Sequence, residues 1–186
     1  MRKVYLNHDG GVDDLVSLYL LLKMEDVELV GVGVIEADCY LEPAVEASKK
    51  IIQKFGSIND QKIRVASSNS RPVHPFPKEW RMHAFTVDAL PILNEHKPIL
   101  VQDSPYKAHE DLVHVLKEST DKVDLLFVGP LTDLARALDL DASIEEKIGR
   151  LYWMGGTFLD QGNIEEPEHD GTAEWNVYWD PFAAKR

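Results

Sequence analysis

The amino-acid sequence predicts an α/β fold in which helices cover both faces of an open, mostly parallel twisted sheet. Apolar segments typical of strands alternate along the chain with segments of helical periodicity, which favours parallel strands joined by right-handed helical crossovers. The predicted strands are continuous apolar runs, such as E-L-V-G-V-G-V-I at Glu28–Ile35. Strands of a parallel sheet have this pattern because both of their faces are buried.

The first half of the chain contains three predicted strands and two predicted helices. Leu15, Leu18, Tyr19 and Leu22 recur at the spacing of one buried helical face. Residues 67–80 contain three prolines and are predicted to be irregular. In order, the elements are a strand at Val4–Leu6, a helix around Leu15–Leu22, the strand at Glu28–Ile35, a helix at Leu41–Phe55 and a strand at Ile63–Ala66.

The second half continues this alternation. It contains no repeat or evident domain boundary, so residues 1–186 are predicted to form a single domain. Asp103-Ser104-Pro105 is predicted to cap the first of its helices, with the proline in the first turn. In order, the elements are a helix at Ala108–Lys117, a strand at Asp124–Val128, a helix at Leu131–Leu140, a strand at Arg150–Met154 and a helical turn within Asp180–Arg186.

Composition excludes several classes of partner. The net charge of -12 argues against nucleic acid and anionic membranes, since both need a basic face that neutralises phosphates. No apolar run approaches the roughly 20 residues of a membrane span, and no signal-peptide core follows the basic N-terminus. The single cysteine, Cys39, excludes an intramolecular disulfide and is typical of a reducing cytoplasm. We therefore expect a cytoplasmic protein that binds a divalent cation or an uncharged molecule.

Three aspartates lie close together after the first predicted strand, in the segment N-H-D-G-G-V-D-D at Asn7–Asp14. Carboxylates this close repel one another unless a cation or hydrogen-bond donors neutralise them. Ligands of open α/β sheets bind beyond the carboxyl ends of strands, and oxygen ligands favour Ca²⁺ or Mg²⁺. A purely structural alternative is that Asp13 and Asp14 only cap the next helix. A second alternative is that the glycines bind a phosphate, but the neighbouring carboxylates would repel it. We interpret the segment as a metal or polyol site.

This segment resembles the D-x-D-P-G-x-D-D signature of the inosine–uridine nucleoside hydrolase family, in which the loop holds Ca²⁺. The resemblance implies that Asp9 is both a metal ligand and the catalytic base that takes a proton from water. It implies that Asp14 is a bidentate metal ligand and that Asp13 binds a ribose hydroxyl. Asn7 stands where the family usually has aspartate, which predicts a weaker negative charge behind the metal ligands. Gly10 replaces the usual proline, which predicts only a looser turn.

Two later segments resemble further signatures of the same family. L-L-F-V-G-P-L-T-D-L-A at Leu125–Ala135 is similar to a strand followed by G-P-L-T-N-[LI]-A. M-G-G after the last strand, followed by G-N, A-E-W-N and D-P, is similar to M-G-G…G-N…A-E-F-N…D-P. The resemblance implies that the Val128 carbonyl completes part of the calcium shell. It also implies that the ribose hydroxyls are bound by Asn163, Glu174 and Asn176.

Three further residues are candidates for the site. Asp38 follows the second strand, where the family commonly has a ribose-binding asparagine, so the resemblance implies a substrate contact there. His83 falls near a family histidine, but the residues after it break the family's H-G-x-x-G pattern, and a lone histidine is more often structural. His8 lies in the aspartate loop and is predicted to face either the site or the core.

The resemblance implies a nucleoside hydrolase-like α/β domain with a Rossmann-like core. Its expected activity is hydrolysis of the N-glycosidic bond of ribonucleosides with a Ca²⁺-bound water, in a homo-oligomer that is a dimer or a tetramer. Family members run past the equivalent of Arg186 and supply another calcium-binding aspartate there, so the chain is expected to lack the family's C-terminal region. Two alternatives remain open: a non-catalytic protein that binds ribose or a nucleoside, and another metal-dependent hydrolase such as a phosphatase.

Overall fold

A parallel β-sheet forms the centre of the computed structural model, which describes residues 1–95, 97–167 and 169–186. The sheet has five strands in the order β3-β2-β1-β4-β5, and every neighbouring pair is parallel. This confirms the predicted fold class. The strands are β1 (Arg2–His8), β2 (Val27–Val34), β3 (Val65–Ser67), β4 (Val123–Phe127) and β5 (Ile148–Trp153).

Helices connect the strands and pack around the sheet. Their bounds within the described residues are α1 (Val12–Lys23), α2 (Leu41–Phe55), α3 (His83–Asp88), α4 (Ala108–Glu118), α5 (Thr132–Leu140), α6 (Trp175–Trp179) and α7 (Pro181–Lys185). Short 3₁₀ turns occur at Asp60–Lys62, Trp80–Met82, Pro91–Leu93 and Ala142–Lys147. In the part of the chain that the structure describes, no helix is long and apolar enough to cross a membrane.

The helix after the proline-rich loop begins differently from the prediction. The predicted cap at Asp103-Ser104-Pro105 is wrong, because the N-cap of α4 is Lys107. The Lys107 amide donates a hydrogen bond to the Glu110 side chain at 3.0 Å. The Ser104 hydroxyl instead donates to the carboxylate of Asp111, so it ties the loop to a side chain in the first turn of the helix and does not cap the helix itself.

Two apolar cores lie on opposite faces of the sheet. Successive side chains of a strand point to opposite faces, and β1 illustrates this. Val4 and Leu6 join the core that contains α1 and α2, whereas Tyr5 joins the core that contains α4 and α5. Helices therefore cover both faces, which explains why most of β1 is a continuous buried run.

The strand order reverses at β1, which is the central strand of the sheet. The chain runs outward from β1 through β2 to β3, and then returns to β4 and β5 on the other side. In an open α/β sheet, ligands bind beyond the carboxyl ends of the strands where the order reverses. The loops after β1 and β4 meet at that point, and they carry the aspartate segment and Val128.

Candidate active site

A cavity of about 360 Å³ opens at the carboxyl ends of the strands. All residues that the sequence analysis assigned to the site line this cavity, although they come from the loops after β1, β2, β4 and β5. They are Asp9, Asp13, Asp14, Asp38, Val128, Asn163, Glu174 and Asn176. The remaining lining residues are Gly11, Phe76, Met154, Gly155, Gly156 and Trp175.

The aspartate loop is held by its own side chains. The Asp14 Oδ2 atom accepts hydrogen bonds from the amides of Asp9 at 3.1 Å and Gly11 at 3.2 Å. The Asp9 Oδ2 atom accepts a hydrogen bond from the amide of Asp38 at 3.0 Å, which joins the loops after β1 and β2. Asp13 and Asp14 lie in the first turn of α1, where the helix dipole favours negative charge.

The carboxylates of this loop are costly to ionise in the folded protein. Burial raises the pKa of Asp9 well above its usual range, and the negative charges of Asp14 and Asp38 raise it further. Burial also raises the pKa of Asp14 to about 6, although its hydrogen bonds oppose the shift. Burial raises the pKa of Asp38, while hydrogen bonding by the Cys39 thiol and electrostatic interactions with the His83 and Arg81 side chains oppose the rise. The loop therefore concentrates negative charge that a bound cation would neutralise.

The donors in the cavity suit a hard cation. Asp9, Asp14 and Val128 line the same cavity. Carboxylate and carbonyl oxygens are the donors that Ca²⁺ and Mg²⁺ prefer. Within residues 1–95, 97–167 and 169–186, no three His, Cys, Asp or Glu side chains are grouped so that they could hold a metal ion on their own. The residues present thus fit part of a calcium shell.

Glu174 organises the wall opposite the aspartate loop. As the N-cap of α6, it accepts hydrogen bonds from the amides of Asn176 at 3.0 Å and Val177 at 3.1 Å. It also accepts a hydrogen bond from the amide of Gly156 at 3.0 Å, so it joins α6 to the glycine turn after β5. Asn163 Oδ1 accepts from the amide of Trp175 at 3.0 Å, which leaves the Asn163 side-chain NH₂ group without a hydrogen bond among the described residues.

Asn176 ties together the ends of two strands. Its side-chain NH₂ group donates to the carbonyl of Met154, after β5, at 2.8 Å and to the carbonyl of Val128, after β4, at 3.3 Å. Asn176 is 5% exposed. Because a carbonyl oxygen has two lone pairs, the Val128 carbonyl can accept one further interaction beside the hydrogen bond from Asn176.

The aromatic part of the cavity was not predicted from the sequence. Phe76 lies in the proline-rich stretch predicted to be irregular, and its ring stacks on Trp175 with centroids 4.9 Å apart. Trp80 meets Trp175 edge to face at 5.1 Å. A phenylalanine isolated in an irregular loop gives no periodic signal, so the sequence offered no means of placing Phe76 beside the site.

The two candidate histidines, His8 and His83, lie in different surroundings. His83 is exposed and begins α3, and it is not among the residues that line the cavity. His8 is fully buried and faces α2, so it faces the core. Burial lowers the pKa of His8 to about 4, which keeps its imidazole neutral near pH 7.

Asn7 has a carboxylate partner that the sequence analysis did not foresee. Its side-chain NH₂ group donates to Asp133 Oδ2 at 3.2 Å, and the hydroxyls of Ser68 and Ser70 donate to Asp133 Oδ1 at 2.7 and 3.0 Å. Asp133 is fully buried. Gly33 makes room for this arrangement, because a Cβ atom there would lie 2.6 Å from the Asn7 Nδ2 atom. A buried carboxylate therefore remains behind the aspartate loop, on α5 instead of β1.

Comparison with known proteins gives matches over nearly the whole chain. The family model described as inosine-uridine preferring nucleoside hydrolase matches residues 4–186. A probable uridine nucleosidase 2 of Oryza sativa subsp. japonica is 27% identical over 98% of this chain and 52% of its own length. The pyrimidine-specific ribonucleoside hydrolase RihB of Escherichia coli (strain SE11) is 25% identical over 99% of this chain and 55% of its own length.

A solved structure is more similar still. The inosine-uridine preferring nucleoside hydrolase from Bacillus anthracis is 62% identical, with a TM-score of 0.95, and the match covers 99% of this chain and 60% of that chain. The chain thus spans about half the length of the curated relatives it matches.

Proposed function

Because the chain belongs to the inosine-uridine preferring nucleoside hydrolase family, we propose that it hydrolyses the N-glycosidic bond of ribonucleosides to a free base and ribose. The observation that carries the proposal is the convergence of residues from four separate sequence segments on one cavity. Its oxygen-rich wall suits a sugar, since carboxylates and amides match the donors and acceptors of a diol.

The aspartate loop supplies the proposed base. Asp9 accepts a proton from the attacking water, and its position in the wall of the cavity supports this role. The backbone amide of Asp38 donates to one oxygen of Asp9 and thereby orients the other. As C1′ develops positive charge, the negative charges of Asp13 and Asp38 stabilise it electrostatically.

The opposite wall is proposed to bind the ribose. Asn163, Glu174 and Asn176 would bind its hydroxyls together with Asp13 and Asp38. The rigid hydrogen bonds of Glu174 and Asn176 support this assignment, because a prearranged wall orients the sugar before reaction. The stacked Phe76 and Trp175 rings give the same cavity an apolar side that suits the faces of a sugar or base.

We propose Ca²⁺ as the cofactor, held by Asp9, Asp14 and the Val128 carbonyl. When bound, calcium supplies Lewis acidity toward a water molecule and toward the vicinal ribose hydroxyls. The hard oxygen donors and the raised pKa of Asp14 support a cation at this position.

We propose that residues 1–186 act as a single domain in a cytoplasmic homo-oligomer, a dimer or a tetramer. The free buried thiol of Cys39 is compatible with a reducing compartment. Val12, Val16 and Ile92 leave an exposed apolar groove between α1 and the turn at Pro91–Leu93, which supports self-association. Light scattering of the purified protein measures the oligomeric state.

The test of function is ribose release from purine and pyrimidine nucleosides, measured with calcium and again after chelation. We expect release that chelation abolishes and that calcium restores. Asp9→Asn should lower kcat about 10²–10⁴-fold, as expected for loss of a general base. Asp26→Asn is the matched control, because Asp26 is an exposed carboxylate bound to Arg2 at the opposite ends of the strands.

The remaining outcomes separate the alternatives. Calorimetric binding of a nucleoside without ribose release would favour the non-catalytic binder. Release of phosphate from a nucleoside monophosphate, without ribose release, would favour a phosphatase. Turnover that survives Asp9→Asn would overturn the assignment of the base.

A further inference from the structure

The aspartate loop holds three consecutive amides, and each has a side-chain acceptor. Asp14 accepts from the outer two, those of Asp9 and Gly11. The middle amide, that of Gly10, donates to the Nδ1 atom of His8 at 3.2 Å. His8 is fully buried, so no water replaces this acceptor, and a buried amide left without a partner is costly.

The hydrogen bonds around His8 define one tautomer. The hydroxyl of Ser48 donates to the carbonyl of Ala44 at 2.7 Å. Its single proton is thereby used, so at its 3.0 Å contact with His8 Nε2 the hydroxyl must accept. The proton of the imidazole therefore lies on Nε2, which leaves Nδ1 as a bare acceptor for the Gly10 amide. The bond from the Gly10 amide needs this bare nitrogen, whereas the contact with Ser48 uses the Nε2 proton.

The aspartate loop packs against helix α2. Gly10 has a φ of 90°, a conformation that favours glycine, and a Cβ atom there would lie 2.5 Å from the Ala44 Cβ atom. Ala44 thus contacts the loop directly, and Ser48, one turn later on the same helix, contacts it through His8. The expectation that Gly10 only loosens the turn is wrong, because proline cannot adopt this φ.

We propose that His8 is a positioning residue, which fixes Gly10 through Nδ1 and is itself anchored on α2 through Nε2–H. By fixing Gly10, His8 sets the orientation of Asp9, which precedes it. It also sets the orientation of Asp14, which accepts hydrogen bonds from the amides of the two residues that flank Gly10. The structural part of this inference is independent of the reaction, whereas its consequence for turnover rests on the proposed function.

Two substitutions distinguish the role of Nδ1 from the role of Nε2. Asparagine carries an acceptor oxygen on Cγ, where Nδ1 is bonded in histidine, so His8→Asn keeps the acceptor for Gly10 and loses the contact with Ser48. Glutamine places its amide one bond further out, so His8→Gln keeps a donor for Ser48 and loses the acceptor for Gly10. If His8 acts only by filling space, the larger glutamine should be tolerated better in every measurement.

The test is NMR of the metal-free protein. Long-range ¹⁵N–¹H correlation should show His8 with a protonated Nε2 and a bare Nδ1. Hydrogen exchange of the Gly10 amide should be about 10–100-fold faster in His8→Gln, as expected for loss of a buried hydrogen bond, and close to wild type in His8→Asn. A protonated Nδ1, or equal exchange at Gly10 in both variants, would overturn the proposal. Should His8→Gln not fold, the tautomer in the wild type decides alone.

Turnover gives a second readout. We expect His8→Gln to lower kcat for nucleoside hydrolysis about tenfold with a smaller change in KM, and His8→Asn to recover most of it, which a role in stability alone would not produce. A loss of kcat in His8→Asn as large as in His8→Gln would contradict the role of Nδ1. If the wild type releases no ribose, the proposed function fails while the NMR result still decides the role of His8.

Discussion

Replacing Asp14 by asparagine should stabilise the protein at neutral pH when no divalent cation is bound. Asp14 is 2% exposed, and burial raises its pKa from an ordinary 3.8 to about 6. The amides of Asp9 and Gly11 both donate to the same oxygen of Asp14. An asparagine oxygen can accept both bonds, so Asp14→Asn removes the charge and keeps the loop.

The direction of the effect on stability follows from the direction in which the pKa of Asp14 is shifted. An aspartate whose pKa is higher in the folded than in the unfolded chain favours folding below the unfolded pKa. That contribution is lost as the pH rises through the folded pKa, here about 6. A shift of roughly 2 pKa units corresponds to about 3 kcal/mol. For a domain of this size that equals roughly 6–12 °C in Tm.

The wild-type pH curve does not report this loss alone, because His8 has the opposite effect. Burial lowers the pKa of His8 from 6.5 to about 4. The stability that His8 contributes is present above 6.5 and is lost as the pH falls through about 4. The two groups therefore oppose each other over the same pH window. The difference between wild type and Asp14→Asn removes the part due to His8, since both proteins contain it.

The assay is thermal unfolding of both proteins between pH 4 and pH 8 in chelator, repeated with calcium. The Tm of Asp14→Asn should exceed that of wild type by an amount that grows as the pH rises through about 6. With calcium, the Tm of wild type should exceed that of Asp14→Asn, because calcium binds the folded wild type and stabilises it by mass action. A variant that is less stable than wild type at pH 7.5 in chelator, or a difference that does not change with pH, would refute the reasoning.

Three further substitutions test the packing around the site by chemical denaturation. Gly10→Ala should cost roughly 2–4 kcal/mol, since alanine is strained at a φ of 90° and meets Ala44; adding Ala44→Gly should recover the steric part only. Asn7→Asp should cost roughly 3–5 kcal/mol by placing a second carboxylate beside the buried Asp133, and adding Asp133→Asn should restore most of it. Asn176→Ala should cost roughly 1–3 kcal/mol, because the carbonyls of Val128 and Met154 lose their donor; an unchanged midpoint would contradict that linkage.

The parts of the fold that the sequence predicted well are those with strong local signals. Helix α2 has the predicted bounds, Leu41–Phe55, because apolar residues mark one face along its full length. The short helices α3 and α6 were missed, since five or six residues complete too few turns to show a period. Their ends depend on tertiary contacts instead, as when Glu174 caps α6 and also binds the Gly156 amide.

The candidate site shows the same division between local and distant information. The residues assigned by resemblance line one cavity because parallel strands bring the ends of β1, β2, β4 and β5 to one edge. Their roles stay predictions. Phe76 was not assigned, since its place depends on how a long irregular loop folds back onto Trp175. No pattern within that loop carries this information.

The two departures from the family signature have physical explanations that only the structure supplies. Asn7 was expected to weaken the negative charge behind the metal ligands, yet Asp133, 126 residues away in sequence, places a carboxylate beside it. Gly10 replaces a proline, and its free amide gains an acceptor in His8. In each case another side chain accommodates the change. Asp133 accepts a hydrogen bond from the side-chain NH₂ group of Asn7, and His8 accepts one from the backbone N–H of Gly10, which proline lacks. Single positions of the signature are therefore poor guides to the charge and rigidity of this loop, and the hydrogen-bonded pairs are the units that substitution experiments should exchange.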